Sequence, residues 1–499
     1  MKIKNYFANF LPQYLFIIVL FQVGCRLFVY SHLFNHITLY CGDSAAYFYL
    51  ATSGNALANR PSGFPFVLRI LFFVFPQYNP SIVALLFNSL LGTLTHVLFF
   101  LTLRRFSEAG NFIPFCLSMV FFMNPTIFVI DSMVFMSDTF AYFLFSLVLW
   151  LTLDKASKGN SLYKNILASL VLGYLTIVRS IFVYLSPFIV FYILYRAKRD
   201  TAFKTALIGI LLFTLFLTIP LSYAFLFNKP RLGMASIENF GGTSAFSNIL
   251  PHLSCEKILS ISQSPEEVDV VKRFCNDEEI KSSSPDALRW NASSTMNMME
   301  NAMVSHYAEM HEGIHSYGPQ RENALGNRFL MKWFFRSIWK YPKSAMLAMK
   351  DAIIGGYILN PFKGNARVLQ PPPLVGGCEK LVSRLFSLDQ NRYMEMWVKN
   401  KVDNYEMLHL IDRLEFFIAA PTHFLIIIAF CFLPICFIRR EFFNIESIFL
   451  YIISLIYLIL FSLGNGYDAR FSVVFNYCIF LSLGILVLTY FDYKRKGSL

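Results

Sequence analysis

The chain has 499 residues, of which 56% are hydrophobic and only 15% charged. That is too little polar surface for a chain of this length to cover itself in water, so composition excludes a soluble globular protein and defines an integral membrane protein. The formal net charge of +12 does not call for a nucleic-acid partner, because the cations follow a topological pattern and do not form a patch.

Apolar runs able, or nearly able, to cross ~30 Å of hydrocarbon as helices fall near 10–30, 81–103, 111–130, 133–153, 162–179, 180–195, 203–227, 414–438, 444–463 and 470–491. The expected fold class is therefore an all-α integral membrane protein of about ten transmembrane helices. Lys2 and Lys4, Arg104 and Arg105, Lys155, Lys158 and Lys164, Arg196, Lys198, Arg199 and Lys204, Arg439 and Arg440, and Lys494, Arg495 and Lys496 fall at alternate helix ends. The positive-inside rule makes those ends cytoplasmic, with both termini inside. Basic residues precede the first run, but Gln22-Val23-Gly24-Cys25-Arg26 offers no small-residue cleavage site, so it reads as a retained helix and not a cleaved signal. A bacterial inner membrane is the expected location.

The chain divides into an N-terminal membrane region (1–228), an external, mostly helical insert (229–412) and a C-terminal membrane region (413–499). In the first external loop (31–80), Asp43 stands just outside the first span, in Gly42-Asp43-Ser44-Ala45-Ala46-Tyr47. An Asp there either caps a helix starting at Ser44 or serves as a general base. Arg60-Pro61-Ser62-Gly63-Phe64-Pro65 follows, and Phe64 to Phe75 is too short and proline-bounded to span, so it lies along the interface or re-enters. Asp131 and Asp138 flank the next outer turn, Arg179 ends the fifth run, and Asp468 and Arg470 lie in the last outer turn. Each could be an ordinary solvated loop residue, but four outer segments supplying acids and arginines to one face suit chemistry on a charged, lipid-borne substrate. The insert carries Ser-rich turns, Asp277-Glu278-Glu279 and the stop Pro371-Pro372-Pro373. Its segments Phe329 to Ile338 and Ala345 to Ile354, divided at Tyr341-Pro342, read as two short helices on the membrane surface. Cys41, Cys255, Cys275 and Cys378 are expected outside, enough for one or two disulfides whose pairing the sequence leaves open.

These segments carry a family resemblance. Asp43-x-x-x-Tyr47-x-x-x-Ala51, Arg60-Pro61-x-x-x-Pro65, Asn124-Pro125, Ser137-Asp138, Gly173-Tyr174-Leu175-Thr176-x-x-Arg179, Tyr341-Pro342 and Asp468-Ala469-Arg470-Phe471 resemble, in order and sidedness, the GT-C glycosyltransferase superfamily. That superfamily includes polyprenyl-phosphate-mannose-dependent protein mannosyltransferases and lipid A aminoarabinose transferases. The resemblance implies a GT-C-like fold and an inverting transfer of a sugar from a polyprenyl-phosphate donor to a lipid, glycan or protein acceptor at the periplasmic or exterior face. It implies Asp43 as catalytic base, Arg60, Arg470 and Arg179 at the donor phosphate, and Asp138, Asp131 and Tyr47 in orienting the acceptor or a metal. A divalent cation is compatible with this set, though the sequence requires none.

Two other readings compete. A lipid or solute transporter or flippase also places charges between spans, but such proteins commonly carry internal repeats, and none is visible here. His311-Glu312-Gly313-Ile314-His315 has the HExxH spacing of a zinc metallopeptidase. Gly313 weakens that helix, Gly318-Pro319 end it, and Arg321 stands where an extended zinc motif needs His.

Overall fold

The structure, a computed structural model, describes residues 11–33, 38–39, 43–54, 61–108, 110–123, 127, 133–153, 162–198, 202–232, 235, 245–246, 248–276, 319–358, 405–439, 444–464 and 469–497, some of them through the backbone alone. Helices occupy each of the ten segments expected to span. The N-terminal region comprises α1 (Leu11–Leu33), α2 (Asp43–Ser53), α3 (Gly63–Val74), α4 (Pro80–Arg105), α5 (Phe112–Phe122), α6 (Asp138–Thr152), α7 (Leu162–Val178), α8 (Phe182–Lys198) and α9 (Ala202–Ser222). A π-helical stretch, Tyr223–Asn228, extends α9 into a last turn, Lys229–Leu232. The insert supplies α10 (Cys255–Ile261), α11 (Pro265–Asn276), α12 (Pro319–Lys340) and α13 (Pro342–Lys350), and the chain closes with α14 (Tyr405–Ile438), α15 (Ile445–Gly464) and α16 (Ala469–Gly497).

Among the described residues, five helical stretches are long and apolar enough to cross a membrane: Pro80–Arg105, Leu211–Arg231, Pro421–Ile438, Ile445–Leu463 and Val473–Arg495. Further apolar helices, including Leu11–Leu27, Asp138–Thr152, Tyr163–Val178 and Phe182–Tyr195, are shorter. Local chemistry sets the ends of these helices. Asn79 Oδ1 accepts from Ser81 N at 2.9 Å, Pro80 follows at the first helical position, and Arg104 and Arg105 sit in the last turn of α4.

The two ends of the bundle differ in chemistry. At the basic end, Arg104 Nε donates to Asn111 Oδ1 at 2.8 Å, and Arg105 donates to the carbonyls of Trp150 and Leu153 while lying 4.4 Å from the Trp150 ring centroid. The Glu108 amide there reaches both Asp492 carboxylate oxygens at 3.2 Å, tying the α4–α5 turn to the end of α16. Between the ends, packing relies on close contact, since lipid tails give helices little hydrophobic reason to associate. Phe99 stacks on Phe121 with centroids 5.1 Å apart and meets Tyr477 edge-on at 4.9 Å, joining α4, α5 and α16. Gly173 lets α7 approach α9 so closely that a Cβ there would lie 3.1 Å from the Phe216 carbonyl oxygen.

Several polar side chains buried in the bundle bond one another. Gln22 Nε2 bonds His96 Nδ1 at 2.8 Å, His96 Nε2 reaches Ser118 Oγ at 3.3 Å, and Arg26 donates to Gln22 Oε1, linking α1, α4 and α5. Ser447 Oγ donates to the Ser482 carbonyl at 2.8 Å and Ser482 Oγ returns a bond to the Ser447 carbonyl at 2.9 Å, clasping α15 to α16.

The insert has its own core. Phe246, Ile249, Val270, Val271, Leu330 and Trp333 are all at most 1% exposed, and this cluster reaches Leu463 at the C-terminal end of α15. A disulfide joins Cys255 at the start of α10 to Cys275 at the end of α11. Cys41 and Cys378 lie outside the described residues.

Candidate functional site

At the end of the bundle away from the basic cluster, segments distant in sequence meet. Thr38 and Leu39 pair in parallel with Met133 and Val134, so the chain entering α2 runs beside the chain entering α6. The next residue, Phe135, has φ 62°, a left-handed conformation costly for a bulky side chain. Its fully buried ring, 5.1 Å from Phe48 and 6.1 Å from Phe72, holds it there. The turn delivers Ser137 and Asp138 to the N-terminus of α6, where the helix dipole favours an anion.

Tyr47 of α2 is 5% exposed, and its hydroxyl lies 3.1 Å from Ser137 Oγ. Its ring meets Phe64 edge-on at 5.8 Å. Phe64 belongs to the first turn of α3, which is set hard against the end of α7. A Cβ on Gly63 would come within 2.5 Å of the Ile177 carbonyl oxygen, so only glycine fits. The Tyr174 hydroxyl donates to the Gly63 carbonyl at 2.8 Å, and the Ser62 amide donates to the Tyr223 hydroxyl at 2.8 Å. Gly63→Ala should force α3 away from α7 and cost about 1–3 kcal/mol by overpacking. Thermal unfolding of the detergent-purified variant checks this, and an unchanged melting temperature would show that the contact is slack.

One residue beyond α7, Arg179 forms an ion pair with Asp138 Oδ1. The carboxylate is 1% exposed and the guanidinium side chain 19%. Asp138 Oδ2 is also buried and has no hydrogen-bond partner among the described residues. The buried Tyr457 of α15 lies within electrostatic range of both charges.

The structure thus brings Tyr47, Asp138 and Arg179 to one end of the bundle. Asp43 opens α2 as its first residue, one position earlier than a cap before Ser44 would place it, and is described through its backbone. Arg470 lies in the first turn of α16, likewise through its backbone. Arg60, Asp131, Asp468 and the His311-Glu312-x-x-His315 stretch lie outside the described residues. Among the described residues, no group of three His, Cys, Asp or Glu side chains is placed to hold a metal. Ser137, Tyr174 and Tyr223 join the site without having been singled out as site residues in the sequence. Ser137 and Tyr174 sit inside recognised motifs, whereas Tyr223 belongs to none and meets the Ser62 amide across 161 residues of sequence.

The architecture is that of a multi-helix membrane protein with a buried acid–arginine pair at one end. No family model and no curated protein matches the sequence. Among solved structures, the chain aligns with ArnT from Cupriavidus metallidurans bound to undecaprenyl phosphate, at 11% identity and a TM-score of 0.33, over 98% of this chain and 79% of that one.

Proposed function

We propose that the protein is an inverting glycosyltransferase that moves a sugar from a polyprenyl-phosphate donor to an acceptor hydroxyl at the outer face of a membrane crossed about ten times. The observation that supports this reading best is the meeting of four motif segments at one end of the bundle: Asp43 to Tyr47, Pro61 to Pro65, Ser137-Asp138 and Tyr174 to Arg179. The Cys255–Cys275 disulfide agrees with an insert on the oxidising, external side.

In this reading Asp43, the first residue of α2, takes the acceptor proton. The acceptor oxygen then attacks the anomeric carbon as the bond from that carbon to the phosphate oxygen breaks, and polyprenyl phosphate leaves with the electron pair. A single displacement inverts the anomeric centre. Arg60 and Arg470 neutralise the departing phosphate, and Arg179 joins them, since a five-donor guanidinium can be held by Asp138 and still meet a phosphate oxygen. Tyr47, Asp131 and Asp138 orient the acceptor. The lipid tail lies against the apolar helices.

Mass spectrometry of cell-envelope glycolipids and glycoproteins from a deletion strain tests the proposal and identifies donor and acceptor together. The expected result is loss of one sugar substituent, restored by the intact gene. An unchanged glycan profile, or movement of a labelled lipid across vesicles containing the purified protein with no covalent product, would replace transfer with transport.

A further inference from the structure

The core of the insert abuts the C-terminal end of α15, one of the helices long and apolar enough to span. It reaches Leu463 in the last turn of α15, and Asn248 Nδ2 donates to the Leu463 carbonyl at 3.4 Å. From the other direction, α13 continues with helical backbone angles at Asp351 into a π-helical stretch, Asp351–Ile358. Ala345 and Ala348 of this continuous helix belong to the insert core, while Ile353 packs on the membrane core. Lys350 and Asp351 thus divide the residues packed on the insert core from one packed on the helical bundle.

Beside that division, large apolar side chains point outward. Trp339 is 90% exposed, Met346 64% and Phe335 57%. A surface that met only water would have no use for an almost fully exposed tryptophan, whose ring prefers the headgroup level of a bilayer. Positive charge is interleaved with these residues, because Lys332, Lys343 and Lys350 are exposed on the same two helices. Among the described residues, Glu267 binds Arg336 at 2.7 Å, and Asp351 lies 3.4 Å from His252. Exposed aromatic residues beside lysines that make no ion pair among the described residues form the pattern of an interfacial helix on an anionic surface.

We propose that the α12–α13 hairpin beds its exposed face in the headgroup layer of the adjacent leaflet. Trp339, Phe335 and Met346 enter the acyl boundary, and Lys332, Lys343 and Lys350 bind anionic phospholipid phosphates. This seating holds the insert against the membrane whatever reaction the protein performs.

The test uses the full chain in lipid nanodiscs, which leave both faces open to water, made of phosphatidylcholine with or without phosphatidylglycerol and carrying shallow brominated acyl chains. The chain has five tryptophans, so the emission difference between the natural protein and Trp339→Phe isolates Trp339. We expect bromine to remove at least half of that component, and aqueous acrylamide to quench it several-fold less than a free indole, with stronger bromine quenching when phosphatidylglycerol is present. Lys343→Glu/Lys350→Glu should abolish the dependence on phosphatidylglycerol. A Trp339 component insensitive to bromine and open to acrylamide overturns the seating. Equal quenching in both lipid mixtures overturns the anionic recognition.

Discussion

Asp43→Asn should lower sugar transfer by about three orders of magnitude, within the range general-base catalysis commonly contributes, while leaving expression and melting temperature unchanged. The substitution separates the two roles open to this residue. Asn matches Asp as a helix cap and gives up only about 0.3–1 kcal/mol of dipole interaction in the first turn, so an aspartate that only starts α2 (Asp43–Ser53) loses little when replaced. A base, however, loses the group that accepts the proton. Release of polyprenyl phosphate from a labelled donor, measured on protein purified from membranes, checks this, and turnover equal to the natural protein would remove Asp43 from the mechanism. Asp43→Glu should retain measurable activity, because it keeps the carboxylate but moves it by a methylene.

The second large effect is expected at the ion pair of Asp138 and Arg179. With the carboxylate 1% exposed, replacing either partner alone leaves a buried charge uncompensated, at a cost of about 3–5 kcal/mol. Asp138→Ala and Arg179→Ala should each show that loss as a lower unfolding midpoint. The double substitution Asp138→Leu/Arg179→Met should recover most of the stability, since an apolar pair avoids burying charge. It should not recover transfer if Arg179 meets the donor phosphate. Full activity in the double variant would reduce the pair to a structural tie between α6 and α7.

How much of this was legible in the chain depends on the range of the signal. Long apolar runs are the strongest local message in a membrane sequence, so a helix such as α4 lies within a residue or two of its expected limits. The proline-bounded run after Pro61 was recognisable as short for the same reason, and α3 has 12 residues. Alternating basic ends placed Asp138 and Arg179 on one side, yet their pairing joins positions 41 residues apart and no periodicity announces it. The contact of Gly63 with Ile177 is equally silent, because a glycine reveals its purpose only when a neighbouring backbone occupies the place of its missing Cβ. Phe135 is harder still, since its type argues against the left-handed angle it adopts and only the rings around it hold it there. Of the four cysteines expected outside, the 255–275 pair became visible only once α10 and α11 were folded side by side.

The serine clasp between α15 and α16 acts as a depth gauge. With Ser447 and Ser482 bonded to each other's carbonyls, the two helices cannot slide past one another without breaking both bonds together. Arg470 lies roughly 18 Å along α16 from Ser482 at the helical rise, so the height of its backbone is set from the opposite, open end of the hairpin. A slip of one helical turn, ~5.4 Å, would lift or sink that backbone relative to α15, and the clasp keeps it in one register during thermal motion.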